Sequence, residues 1–445
     1  MGNCISIMPT NQLIISIPTP SIIFTRYLYV KDEVKIALFS SLICKHQYSI
    51  FWAYELYYSG FEEELFELLW KIYYDLYATL NPAFRDYFIK KHKEWIKLNQ
   101  LSIFTVSATT KTITNIEKDR IISTIVNNLI IRPYNLDIFM LIHVNKYNNT
   151  TENNENINND LTQLLEVANY AKITKYILQL HQEYIEINLD IIIEFFIKKE
   201  VQINHIKFVQ TWKKHSQFLN KTANISHQLL LLTIIMQLYS VTNNLKMGKK
   251  IYMCINPSDI EQYNTLETNI NKISAYKILP LVATLCIDEF NHLSLFELNR
   301  NSLEEEDDDL DHEVEEVGDN EEGKQQISYA NKRIILQKKY WYEWLYYASF
   351  SPIWANRIKK YNGKINHEYK KIEFIQNNIE LYDDEEESFY EQFNYEPDEQ
   401  KREIQNRNIG PIRSITNQTS FYNEFKYNSL YDPIQLQVNP HLFVL

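Results

Sequence analysis

The sequence predicts a mainly α fold of antiparallel helical bundles in two to three units, with minor β content near the N-terminus and around 104–116. Two observations carry that expectation. The chain has 7 glycines in 445 residues, far below the roughly 7 % usage of an average protein, so architectures built on glycine-rich turns are disfavoured. Apolar residues also recur at helical spacing, most clearly at Phe61, Leu65, Leu69, Ile72, Leu76 and Leu80, a stripe that needs a partner surface. At this length two or three domains can each bury a core.

Residues 1–25 form an extended N-terminal segment, because Pro9, Pro18 and Pro20 interrupt any helix in "PTNQLIISIPTPSIIFT". An aromatic-rich helical domain follows at 26–144. Its densest stretch, "SIFWAYELYYSGFEEELFELLWKIYYDLYATLNPAF", raises the choice between an aromatic ligand site and a core. The wide apolar stripes favour a core, with Tyr and Trp filling space between helices and placing their polar tips at its rim. Ser59-Gly60 supplies a permissive helix end, Glu62, Glu63 and Glu64 suit the positive end of the next helix, and Asn81-Pro82 reads as N-cap and N1. Three or four antiparallel helices are expected over 32–98. The Thr- and Ile-rich stretch "FTVSATTKTITNI" at 104–116 reads as a strand or hairpin arm, with helices after it near 117–131 and 135–145.

The Asn-rich tract at 145–160 has almost nothing to bury and reads as a linker or loop. A second helical domain is expected at 161–300, with helices near 161–181, 183–200, 204–219, 226–244 and 270–298. Its run "LLLLTIIMQLY" falls short of the roughly 18 to 20 residues that cross a bilayer and reads as a buried core helix, so no transmembrane segment is expected. An acidic disordered linker (301–327), a basic aromatic helical unit (328–378) and a polar C-terminal tail (379–445) complete the chain. Between Glu304 and Glu322 lie thirteen acids and no Lys or Arg, so the net charge of -12 is local and the remaining chain sums to about +1.

The chemistry-bearing patterns are few. Cys4, Cys44, Cys254 and Cys286 are too dispersed for a zinc site or redox pair. "CIDEFNH" carries Glu289 and His292 at the spacing of half a di-iron motif, but the other half is absent. His205, His215 and His227 are too far apart for a local ligand set. "GKK" at 248–250 lacks the glycines of a phosphate loop. No metal or cofactor is expected, and an enzyme remains open only as one assembled from distant residues. The N-terminus "MGNCIS" fits N-myristoylation at Gly2, with Cys4 as a palmitoylation candidate that would supply the second anchor for peripheral membrane binding.

Residues 324–375 contain eleven Lys plus Arg against three Glu, interleaved with Trp and Tyr. Basic groups beside aromatics suit phosphate contact with base stacking. The candidates are Lys332, Arg333, Lys338, Lys339, Trp341, Trp344, Arg357, Lys359 and Lys360. The bland reading of the same residues is a helix with a charged outer face.

At "YLYVKDEVKIAL", "IFWAYELYYSGFEEELFELLWKIYYDLYATLNP" and "WLYYASFSPIW" the chain resembles an uncharacterised helical protein family of mimivirus-like giant DNA viruses (nucleocytoplasmic large DNA viruses). The resemblance covers mainly 20–98 and 328–400 and brings no activity, cofactor or catalytic residue. It implies a viral origin and a place in the infected-cell cytoplasm, the virus factory or the virion. The expected function is a non-catalytic helical scaffold or adaptor acting on protein partners. The alternative is a nucleic-acid-associated factor of viral replication, transcription or packaging that uses 324–375.

Overall fold

The computed structural model describes residues 23–28, 31–43, 45, 48–104, 108–139, 141–142, 161–248, 343–375 and 385–393. These are 74 % helical and 4 % strand, so the mainly α class holds. The expected helix at 270–298, the Asn-rich tract, the acidic linker and most of the N-terminal segment lie outside the described residues.

Helices α1 (Lys31–Ile43) and α2 (Tyr48–Tyr58) pack on each other. α2 ends where glycine is required: Gly60 has φ +92°, its N–H donates to Tyr57 O at 3.1 Å, and Phe61 N–H reaches Leu56 O at 3.1 Å. That bond pair is a Schellman cap, whose left-handed residue carries no Cβ penalty only as glycine. Helix α3 (Glu62–Ile72) opens with its three glutamates, and Glu64 reaches back to Lys31 at 3.1 Å and Lys35 at 3.2 Å, tying α1 to α3. α3 runs into a π-helical turn (Tyr73–Tyr77) closed by Ala78 N–H to Tyr73 O at 2.7 Å.

The aromatic stretch is a core. Trp70 is wholly buried and lies flat on Phe88, centroids 3.6 Å apart, while its indole Nε1 donates to His92 Nδ1 at 3.0 Å. His92 in turn stacks on Phe66 at 3.9 Å. Helix α4 (Pro82–Phe104) begins at Pro82 as expected, but the Asn81 side chain bridges instead of accepting a cap bond. Its Nδ2 donates to Tyr77 O at 2.8 Å and Pro133 O at 2.7 Å, joining two loops.

The expected β content around 104–116 is corrected by helix α5 (Ala108–Ile130). Thr and Ile favour strands only weakly, and packing overrides that preference. Here Ile121, Ile122, Ile125, Val126 and Leu129 form a buried stripe at helical spacing, and α5 packs on α1, α2 and α4.

The stretch expected as one helix over 161–181 is two, α6 (Leu161–Val167) and α7 (Tyr170–Leu178), because Ala168 turns left-handed at φ 57°. A 3-10 turn (Gln182–Tyr184) leads into α8 (Ile185–Lys198), followed by α9 (His205–Ala223) and α10 (His227–Thr242). Asn169, Asn204 and Ser226 cap α7, α9 and α10 with side-chain oxygens on the N–H groups of Lys172, Lys207 and Leu229. α9 ends on Asn224 in the left-handed region, so asparagine serves where glycine is scarce.

Helix α10 is apolar almost all round and nearly all buried, as such a helix must be. It packs on α7, α8, α9 and the π-turn, and Gln237 Nε2 donates to Ala78 O at 2.8 Å. Residues from Tyr27 to Leu238 therefore share one hydrophobic core across the two stretches read as separate helical domains.

A smaller core gathers Phe24, Leu28, α11 (Trp344–Ala348), α12 (Pro352–Lys360) and α13 (Glu385–Phe393). Against the expectation of a purely helical unit at 328–378, α12 leads into a β-hairpin, β1 (Gly363–Asn366) and β2 (Lys371–Phe374), with Ile365 opposite Ile372. Asn366 Oδ1 accepts from the N–H groups of Glu368 and Tyr369, both at 3.1 Å, which builds the turn. The Asn362-Gly363 dipeptide lies at the other end of β1, where Asn362, left-handed at φ 54°, closes α12.

Candidate functional site

Two surfaces carry the groups that could meet a partner. The first is the basic unit. Trp344 and Trp354 sit edge to face, centroids 5.7 Å apart, inside the smaller core. Trp354 Nε1 also donates to Thr25 O at 2.9 Å, Ile353 N–H to Ser59 O at 3.2 Å, and Pro352 rests against Gly60. Beneath that contact, wholly buried Glu55 accepts from Thr25 Oγ1 at 2.5 Å and from Tyr27 N–H at 2.8 Å. The three stretches on which the family resemblance rests thus meet at one junction.

Trp344 is consequently corrected from a stacking candidate to a core residue, since its ring faces Trp354 and Tyr390 and has no face free for a base. Arg357 lies over Trp354 at 4.4 Å and Phe393 at 4.7 Å, so its guanidinium covers the smaller core. Lys359 and Lys360 are exposed at the end of α12, where cations suit the helix dipole. The hairpin adds exposed Lys364 and Lys371 and an outward Tyr369, 65 % exposed, with Lys371 Nζ 5.6 Å from its ring. Among the described residues of this unit the exposed aromatic is Tyr369, which the Trp-centred reading passed over. Lys332, Arg333, Lys338, Lys339 and Trp341, like Gly2 and Cys4, lie outside the described residues.

The second surface was not singled out in the sequence. α8 carries one acidic stripe, Glu186, Asp190 and Glu194, and is otherwise largely apolar, yet buries Ile185, Leu189, Ile192, Ile193 and Phe196 on one face only. Its other side presents Tyr184 and Ile187 at 48 % and 58 % exposure, with half-buried Ile191 and Phe195 continuing at helical spacing. Ile197 (41 %) stands in the last turn of α8 and Ile206 (69 %) in the first turn of α9. Glu186 with Lys213 at 2.8 Å and Asp190 with His205 at 3.1 Å link the exposed edges of α8 and α9, which run antiparallel. Below them a groove of about 610 Å³ is lined by Gln182, Glu186, Trp212, Lys213, Asn220 and His227, among others, with Gln182 Nε2 3.2 Å from His227 Nδ1.

The histidines are dispersed as the spacing implied: His205 meets Asp190, His215 lies 3.7 Å from Asp86, and His227 meets Gln182. Among the described residues no group of three or more His, Cys, Asp or Glu is placed to hold a metal ion, and no helix is long and apolar enough to cross a membrane.

No protein-family model, curated protein or solved structure matches the chain.

Proposed function

We propose that this chain is a non-catalytic helical scaffold that acts through protein–protein contacts, with the α8–α9 surface as its principal contact. The observation that carries the reading is the set of exposed apolar side chains at Tyr184, Ile187, Ile197 and Ile206 on α8, α9 and the turn before α8, two helices linked by the Glu186–Lys213 and Asp190–His205 contacts. Contiguous exposed apolar surface marks interaction sites more often than solvent faces. The interior polar groups support the reading, because Glu55, Asn81, Gln237 and Trp354 bond the chain's own backbone. On the family resemblance, its place is the infected-cell cytoplasm, the virus factory or the virion. A photo-crosslinking residue at position 187, in the full chain expressed in its host cell, should give one dominant protein adduct that Ile206→Asp abolishes. Position 101, also exposed and apolar, is the control. Equal labelling at both positions defeats the proposal.

A second reading has its own observation: Lys359, Lys360, Lys364 and Lys371 are exposed, and Lys371 Nζ stands 5.6 Å from the exposed ring of Tyr369. Four phosphate contacts and one stacking ring suit a single-stranded nucleic acid. The reading expects single-stranded DNA affinity that falls steeply with salt and loses salt dependence when Lys359, Lys360 and Lys364 become Glu. Negligible binding at low salt rejects it.

A further inference from the structure

A cavity of about 10 Å³ lies where α9, α10, α4 and the π-turn meet, walled by Tyr74, Arg85, Trp212, His215, Thr233 and Gln237, among others. Three of its residues present buried polar atoms with no protein hydrogen-bond partner: the Tyr74 hydroxyl, Trp212 Nε1 and His215 Nδ1. The other polar side chains near it are engaged. Thr233 Oγ1 donates to Leu229 O at 2.8 Å, Ser216 Oγ to Lys213 O at 3.1 Å, and Gln237 Nε2 to Ala78 O. Buried donors and acceptors are almost always paired, and three exceptions around one void point to a shared partner.

We infer that this cavity is a binding site for a single structural water that joins the π-turn to α9. The capacity fits, because about 10 to 15 Å³ admits one water and no polyatomic ligand. The chemistry fits as well. An indole N–H can only donate, so the occupant must accept. Water accepts from Trp212 Nε1–H and from the Tyr74 hydroxyl, and donates one proton to Nδ1 of neutral His215, within the usual two to four bonds. Burial holds His215 neutral, lowering its pKa to about 4, with Arg85 first, then Lys93 and Lys214, adding to that effect against Asp86. Asp86 Oδ1, 3.7 Å from Nδ1, is beyond direct hydrogen-bond reach.

The test is a crystal structure of the full chain at about 1.5 Å or better, with a second crystal soaked in bromide. A peak within about 2.7 to 3.2 Å of Trp212 Nε1, Tyr74 Oη and His215 Nδ1, unchanged by bromide, is the expected result. An anomalous bromide peak there would show a halide site beside Arg85 and overturn the water. An empty cavity would overturn it too. In solution, full-length protein labelled at tryptophan should show cross-relaxation between long-lived water and one indole proton, and Trp212→Phe should remove that signal. Absence of the signal from the wild-type protein refutes the inference.

Discussion

The large core and the small one are both built around tryptophan, but they are closed differently. Trp70 in the large core finds its partners nearby in sequence: Tyr73 and Tyr74 on the turn that follows its own helix, Phe88 and His92 on the next helix. Trp354 in the small core needs Thr25, 329 positions away, and Gly60 with Pro352 as the contact point. The first arrangement is one pair of successive helices repeating a stripe. The second exists only after both ends of the described chain have met, so it should yield to disruptions that leave the first intact.

The largest expected effect breaks the large core. Trp70→Ala removes a wholly buried ring and leaves His92 Nδ1 without its donor. Destabilisation of about 3 to 5 kcal/mol by chemical denaturation is expected. A loss under about 1 kcal/mol would mean that the stretch is not the core described here.

Protonation sharpens the contrast, because Asp137 and His92, a strongly shifted acid and a strongly shifted base, are both buried with the large core. Burial raises Asp137 to about 6 from 3.8, and burial lowers His92 to about 4 from 6.5. For Asp137 the folded state binds the proton more tightly, so its stabilisation is present below pH 3.8 and lost as pH rises through about 6. For His92 the unfolded state binds the proton more tightly, so stability is full above about 6.5 and falls as pH drops toward 4. The two windows overlap with opposite sign. Asp137→Asn should therefore raise stability at pH 8 by up to about 3 kcal/mol and leave the acid loss from His92 exposed, visible as a steeper fall in Tm between pH 6.5 and 4. Equal Tm values for wild type and variant at pH 8 would contradict the burial of Asp137.

Gly60→Ala separates the two cores. Its φ of +92° strains any other residue, and a Cβ there would stand 2.5 Å from Pro352 Cβ. The cost should be about 1 to 3 kcal/mol. Hydrogen exchange should rise in 344–360 while 62–77 stays protected; uniform loss in both would show one cooperative unit. The smallest effect belongs to Tyr369→Ala, within about 0.5 kcal/mol, because an exposed turn residue away from caps and core holds little. A larger loss by thermal melting would place Tyr369 in a contact that the hairpin surface does not explain.

Sequence alone determined the helical class, the end of α2 at Gly60, the start of α4 at Pro82, and the core role of Trp70 and of α10. Each of these is local: a stripe of period 3.6, a left-handed glycine or a proline at N1 acts through neighbours a few positions away. Tertiary structure decided the rest. The segment 108–116 became helix as the opening of α5, whose buried stripe from Ile121 to Leu129 packs the helix on α2 and α4, against the β preference of the segment's Thr and Ile. Trp344 went into a core because Trp354 and Tyr390 closed over it, and composition cannot tell a buried tryptophan from a stacking one. α8 is apolar on both sides of its acidic stripe, and only the packing of its inner face on α6 and α10 left Ile187 outside. The single junction of Thr25, Glu55, Gly60 and Pro352 rests on contacts separated by up to hundreds of residues. No periodicity encodes such contacts, because their entropic cost is recovered only when the intervening helices have already packed.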